Sequence, residues 1–215
     1  MENLKKPGFP EIVTLLGTET AGKTTTSKLL ARRLGGHALS VPTWPMFEKF
    51  LKNPAGYAFE NQTEAMSYAL KAKQKALESQ SHPLFADTSP DRIHKVHSWG
   101  LRENGFLSDY EWSRLDQQYS QAQEQWGVYY VYLRVGLPTI IQRLKRRGRP
   151  EDIEYNLQSA DVVLERWEDI IADERWRDGK KVLEISGELN PVEICETIES
   201  WLGTDERQEG GKSRL

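Results

Sequence analysis

Gly17-Thr18-Glu19-Thr20-Ala21-Gly22-Lys23-Thr24 fits the pattern G-x-x-x-x-G-K-S/T at every fixed position. Residues of these types at this spacing bind phosphate. The glycines let the backbone fold tightly, so that successive N–H groups and a helix N-terminus face an anion. The predicted nucleotide-binding positions are therefore Gly17, Thr20, Ala21, Gly22, Lys23, Thr24 and Thr25. Lys23 would reach the outer phosphates and the Thr24 hydroxyl would ligate Mg²⁺. A second candidate is Asp87, which ends the apolar run Pro83-Leu84-Phe85-Ala86. A carboxylate there can hold Mg²⁺ or take a proton from an acceptor hydroxyl. It can also serve only as the cap of the next helix, as Thr88 or Ser89 could. A third is Lys145-Arg146-Arg147-Gly148-Arg149-Pro150-Glu151-Asp152. This run reads either as a solvated helix end that complements the helix dipole, or as a flap whose Arg147 and Arg149 meet the charge of a transferring phosphoryl group.

These groups need a scaffold that presents strand ends together. Glu11 to Leu16 is short and β-branched, which reads as a buried strand before the loop. The apolar residues Leu29, Leu30 and Leu34 then mark a helix that Gly35 ends. Further strands are predicted at 37–41, 83–87, 128–135 and 181–186. Helices are predicted at 45–52, 59–79, 91–102, 108–126, 138–147, 151–176 (in one or two pieces) and 191–202. Ser108 and Glu111 stand at capping-box spacing, and Asn190-Pro191 is an N-cap with proline at the first helical position. Strand and helix alternate, which implies an α/β fold with a five-stranded parallel sheet and helices on both faces. Ligands of such sheets bind beyond the carboxyl ends of the strands, where the 17–24 loop, Val41, Asp87 and the segment after Val135 all fall.

The 215-residue length suits one domain, expected over 1–203, with a polar tail at 204–215 predicted to be disordered. The net charge of −3 gives no global basic field for nucleic acid or an acidic membrane. The single cysteine, Cys195, excludes an internal disulfide framework and reads as core. No stretch approaches the roughly 20 apolar residues of a membrane span, and the N-terminus has no apolar signal segment. A cytoplasmic protein is expected. Trp112, Trp126, Trp167, Trp176 and Trp201 follow helical periods and read as core or interface. His94 and His97 suggest a metal pair only in isolation, because no further ligand has fitting spacing.

The order of phosphate loop, Asp87 strand end, Tyr132-Leu133-Arg134 strand and Arg-Arg-Gly-Arg-Pro-Glu-Asp flap resembles the deoxynucleoside kinases and their relatives, the thymidylate kinases. The likeness spans residues 11 to about 170. It implies a three-layer P-loop NTPase fold with a short arginine-rich lid at about 143–152. It also implies ATP and Mg²⁺ as cofactors, a nucleoside or nucleotide as acceptor, and a homodimer through helices like 59–79 and 108–126. Asn53-Pro54-Ala55-Gly56-Tyr57-Ala58-Phe59-Glu60-Asn61-Gln62 resembles the stretch leading to the family's base-reading glutamine, which would be Gln62. Arg143, Arg147 and Arg149 match the lid entry.

The departures define what to test. Val41-Pro42 stands where the family has Glu-Pro, and valine cannot take a proton. Asp87-Thr88-Ser89 stands where it has Glu-Arg-Ser; Arg92, one helical turn on from Thr88, would fill the gap. Leu51 falls near the family's sugar-contacting tyrosine. Glu19 matches a carboxylate that some thymidylate kinases use to contact the acceptor sugar, so Glu19, with Asp87, would do the acceptor-side work. A glutamate beside a triphosphate is otherwise repelled, unless it points into solvent. His97 falls near the family's base-stacking phenylalanine, and Trp44 could also stack a base or pack in the core. The expected reaction is phosphoryl transfer from ATP to a deoxynucleoside or its monophosphate, pyrimidines ahead of purines. The alternatives are a modified nucleotide or a base within a nucleic-acid strand, an unrelated small metabolite, and a nucleotide-binding regulatory module without kinase activity.

Overall fold

Ile12–Leu16 is Ile-Val-Thr-Leu-Leu, every residue buried, and forms strand β1. A strand covered on both faces belongs in the middle of a parallel sheet. The computed structural model describes residues 9–40, 44–78, 83–148 and 150–210, without the side chains of 150–158 and 204–210. Val41 and Arg149 lie outside the described residues, as do the side chains of Pro150, Glu151 and Asp152. The remaining strands are β2 (His37–Leu39), β3 (Leu84–Ala86), β4 (Tyr129–Arg134) and β5 (Lys181–Ser186). They form one parallel sheet in the order β2-β3-β1-β4-β5. Val13 pairs with Phe85 on one side and Tyr129 on the other. By internal contacts the expected 1–203 domain holds two compact units, one of residues 1–38, 81–87 and 128–215, the other of 39–80 and 88–127.

In the first unit, helix α1 (Lys23–Leu34) follows the loop and ends at Gly35, whose left-handed φ of 71° suits glycine. Its Leu30 packs with Val13, Leu15, Phe85, Val131 and Ile198 in the core, each such side chain contributing about 1.5–3 kcal/mol on burial. Cys195 lies in that core, and burial pushes its thiol up to about 11. The helices α6 (Leu137–Arg147), α7 (Pro150–Ala172) and α8 (Glu174–Arg177) follow β4, so the long acidic helix comes in two pieces. Glu168 of α7 accepts hydrogen bonds from Tyr132 Oη at 2.9 Å and Arg134 Nη2 at 2.6 Å, tying α7 to β4. The last helix, α9 (Pro191–Gly210), is capped as expected, with Asn190 Oδ1 accepting from Val192 and Glu193 N–H groups at 3.0 Å. It continues into the segment for which the composition predicts disorder; residues 211–215 lie outside the described residues.

The second unit holds α2 (Pro45–Lys52), α3 (Pro54–Glu78), α4 (Trp99–Glu103) and α5 (Asp109–Glu124). Helix α3 starts five residues before the expected Phe59 and bends at Tyr57, where φ is −134° and ψ is 15°. Ser108 and Glu111 make the expected capping box of α5. Lys73 of α3 donates to the carbonyls of Gln125 and Trp126 after α5, the latter at 2.7 Å.

One expectation fails here. In place of an α-helix over 91–102, Arg92–Ser98 is π-helical, and only then does α4 begin. The Trp99 N–H reaches back to the His94 carbonyl, and the Ser98 hydroxyl donates to the Ile93 carbonyl at 2.9 Å. Such wide turns are held by tertiary contacts rather than by propensity, and α5 supplies them. Asp91, fully buried, accepts from Tyr119 Oη at 3.0 Å and from Gln123 Nε2. His94 stacks between Trp112 and Tyr119, with centroids at 4.5 and 4.7 Å, and its Nε2 lies 3.0 Å from Asp116.

Burial pushes His94 down to about 4, against the support of Asp116. The unfolded histidine titrates near 6.5. Between those values the unfolded chain binds a proton that the folded one rejects, so stability falls as pH drops through that window. The full effect is on the order of 3 kcal/mol. Melting of the wild type is expected to decline more steeply from pH 7 to 4.5 than melting of His94→Phe, which keeps an aromatic ring but cannot titrate. Parallel slopes would exclude His94 as the cause.

Candidate active site

The first unit gathers the phosphate-side candidates. Gly17 has φ +134°, and a Cβ there would come within 2.7 Å of the Leu133 carbonyl of β4, so only glycine fits. Gly22, with φ 100°, precedes the first turn of α1. Lys23 is 7% exposed. Its ammonium donates to the Gly17 carbonyl at 2.7 Å and to the Thr18 carbonyl. Thr25 is exposed, while Glu19, Thr20 and Ala21 lie within the loop, the first two half-buried and the last buried.

The Thr24 hydroxyl donates to Asp87 Oδ2 at 2.5 Å, joining the end of the loop to the end of β3. The capping alternative for Asp87 is taken by Ser89, whose hydroxyl accepts from the Arg92 N–H at 3.2 Å. Pro90 then occupies the first helical position, where proline is tolerated. The turn therefore starts after Ser89, and Arg92 is not one helical turn on from Thr88, as the sequence suggests; Arg92 is half-buried on the π-helical segment. Thr24 and Asp87 present hard oxygens of the kind Mg²⁺ takes from protein.

Arg143, on the second turn of α6, donates to the Thr20 carbonyl at 3.1 Å and the Gly187 carbonyl at 3.0 Å. The loop after β5 thereby braces the phosphate loop. Its next residue, Glu188, accepts from the Gly136 N–H at 3.2 Å and the Thr139 hydroxyl at 2.9 Å, capping α6. The Thr139 and Gly136 bonds hold its carboxyl below the usual range. Arg147 is exposed on the last turn of α6, which ends at Gly148 with φ 66°.

The second unit gathers the acceptor-side candidates. Trp44 precedes α2, and its indole Nε1 donates to Asn61 Oδ1 at 2.7 Å. Its ring tilts against Phe47 at 5.3 Å. Gln62, the next residue of α3, is 5% exposed, and its side-chain amide lies 3.4 Å from the Ser98 hydroxyl. His97 is half-buried on the π-helical segment. Thr88 is 7% exposed.

Four residues of these arrangements escape sequence reasoning: Asn61, Ser98, Gly187 and Glu188. Of these, only Gly187 leaves a trace. A glycine directly after a strand marks close backbone approach, and a Cβ there would meet Val135 Cγ2 at 2.6 Å and the Ala21 carbonyl at 3.1 Å.

Several solved structures share this architecture. Deoxyadenosine kinase from M. mycoides with bound dCTP matches at 21% identity and a TM-score of 0.73, over 90% of this chain and 99% of that one. The same enzyme with products dCMP and a flexible dCDP matches at 20% and 0.73, over 90% and 99%. With bound dATP it matches at 20% and 0.71, over 89% and 99%. At these identities the likeness speaks for the fold. The search of curated proteins gives no match. The sequence profile described as deoxynucleoside kinase matches residues 13–199, which takes in both units. The chain belongs to the deoxynucleoside kinase family and is a phosphotransferase of the nucleoside-kinase type.

Proposed function

We propose that the protein transfers the γ-phosphoryl group of ATP to a deoxynucleoside or its monophosphate, with pyrimidines ahead of purines. The observation that carries this reading is the convergence of the Thr24 hydroxyl on Asp87 at 2.5 Å beside Lys23. A phosphate loop alone serves many nucleotide-binding proteins. A carboxylate brought to its hydroxyl gives it the metal-side and acceptor-side oxygens that phosphoryl transfer needs. Thr24 and Asp87 would hold Mg²⁺, which would neutralise charge that develops during transfer.

The chain's own residues divide the rest. Lys23 leaves its two carbonyls to meet the outer phosphates. Arg143, Arg147 and Arg149 supply cations from the lid at about 143–152, and closure excludes water. Asp87 takes the acceptor proton or holds the metal, and Glu19 contacts the acceptor sugar in place of Val41. Arg92 replaces the arginine lost at Thr88. Gln62 reads the base edge through its amide, while Trp44 and His97 offer faces for stacking. The M. mycoides enzyme has been seen with dCTP, dCMP and dATP, which supports a deoxynucleotide-sized acceptor here. The protein would act in the cytoplasm as a homodimer through α3 and α5. Among the described residues no helix is long and apolar enough to cross a membrane.

Labelled ATP incubated with nucleosides, monophosphates and oligonucleotides tests the reading directly. Label should pass to a deoxynucleoside or its monophosphate. ATP bound tightly with label passed to nothing would leave a regulatory module instead, and transfer that grows with strand length would point to a polymer. Lys23→Met and Asp87→Asn are each expected to lower kcat by about a hundredfold or more with the fold retained by circular dichroism, because each removes charge stabilisation from the transition state.

Two further variants probe the acceptor side. Gln62→Ala should raise the acceptor KM by roughly tenfold with a smaller change in kcat, the signature of lost binding energy. Glu19→Gln should lower turnover; full turnover would remove Glu19 from the mechanism.

A further inference from the structure

Asn61 is 2% exposed, and its Oδ1 accepts from the Trp44 indole N–H at 2.7 Å. An indole N–H only donates, so this bond fixes which end of the Asn61 amide faces Trp44. Burying a side-chain amide costs free energy unless the amide is bonded. A leucine at this place in α3 would pack without that cost. The asparagine is therefore explained by what it does to Trp44 rather than by the stability of α3.

Holding α2 on α3 falls to other groups. Glu64 lies one turn on from Asn61 on the same face of α3. Its Oε2 accepts from the Met46 N–H at 3.2 Å and so satisfies the start of α2. Phe47 and Phe50 of α2 pack with Ala58, Leu101 and Leu115. Asn61 instead acts on one ring. Trp44 is half-buried and meets Phe47 with ring centroids 5.3 Å apart and planes tilted by 59°. With its N–H spent on Asn61, the ring has no hydrogen-bonding group left to offer. What remains is an apolar π surface, anchored on α3 at the residue before Gln62.

We propose that Asn61 is a positioning residue for the acceptor base: it fixes the Trp44 ring as a face that stacks on any base, and leaves discrimination between bases to Gln62. Every base has a π-face, so a ring held by its N–H adds affinity without preference. The inference rests on the acceptor-side reading above and gives a part to Asn61, which that reading leaves without one.

Steady-state kinetics of the full chain with Mg-ATP and the four deoxynucleosides and their monophosphates test it. Asn61→Leu keeps the size and removes the accepting oxygen. The KM of each acceptor that the wild type uses should rise about fivefold or more, by similar factors across the bases, with kcat and the KM of ATP within about twofold. Asn61→Asp restores an accepting oxygen and should stay within about threefold of wild type. Trp44→Phe should lose at least as much as Asn61→Leu, and adding Asn61→Leu to it should change little, because the pair acts as a unit. Glu64→Gln weakens the hold on α2 without touching the indole, and should leave the acceptor KM within about twofold even where it lowers the melting temperature. If Asn61→Leu does not fold by circular dichroism, Asn61→Ala takes its place with the same expectation. Four results would each overturn the assignment while leaving the kinase reading intact: an unchanged acceptor KM in Asn61→Leu, a loss confined to one base, no recovery in Asn61→Asp, or an equal loss in Glu64→Gln. Additive losses in the double variant would do the same. Transfer by the wild type to none of these acceptors would overturn both.

Discussion

A loop that binds a polyanion must turn its N–H groups toward the ligand and give its carbonyls other partners. Here four of the loop carbonyls have a definite destination. Gly17 and Thr18 go to Lys23, and Thr18 also accepts from the Ala21 N–H at 3.3 Å. Thr20 goes to Arg143, and Gly22 accepts from the Thr26 N–H at 2.9 Å as α1 begins. The rest of the first unit serves this arrangement. β4 lies close enough that only glycine fits at 17, and the turn after β5 supplies the second anchor of Arg143 through Gly187. Arg143, which links the loop, α6 and the turn after β5, is thus part of the loop's own architecture.

Much of this could be read from residue order. The strand before the loop, the Gly35 stop, the capping box at Ser108 and the Asn190 cap are local signals, and each is realised where local chemistry puts it. Asp87 was legible as a strand-end acid, and the cap it could also have made is made by Ser89. The pairs Trp44–Asn61 and Gln62–Ser98 were not legible, because their partners lie far apart in sequence and each is an ordinary polar residue alone. Glu188 was hidden for a similar reason, since an acid in a turn looks solvated until its helix partner is known.

The two units also sort the chemistry. The loop residues, Asp87, Arg143 and Arg147 belong to the first; Trp44, Gln62, Arg92 and His97 belong to the second. Each set has its own core, the first around Val13 and Leu30, the second around Phe50, Leu101 and Leu115. The two sets of candidate residues therefore belong to different packed units.

The π-helical segment Arg92–Ser98 has a consequence for how this region can change. Each residue of an α-helix advances the chain by about 100° of rotation, and a wide turn is the geometry of a helix that has absorbed one residue without breaking. Removing a residue from this segment would let it tighten into regular α-helix and swing everything after it by about that angle. Ser98 would then leave Gln62, although neither residue had been altered. The segment works as a phase adjuster: sequence length within it, as much as residue identity, decides which side chains of the helix face the candidate base-reading glutamine.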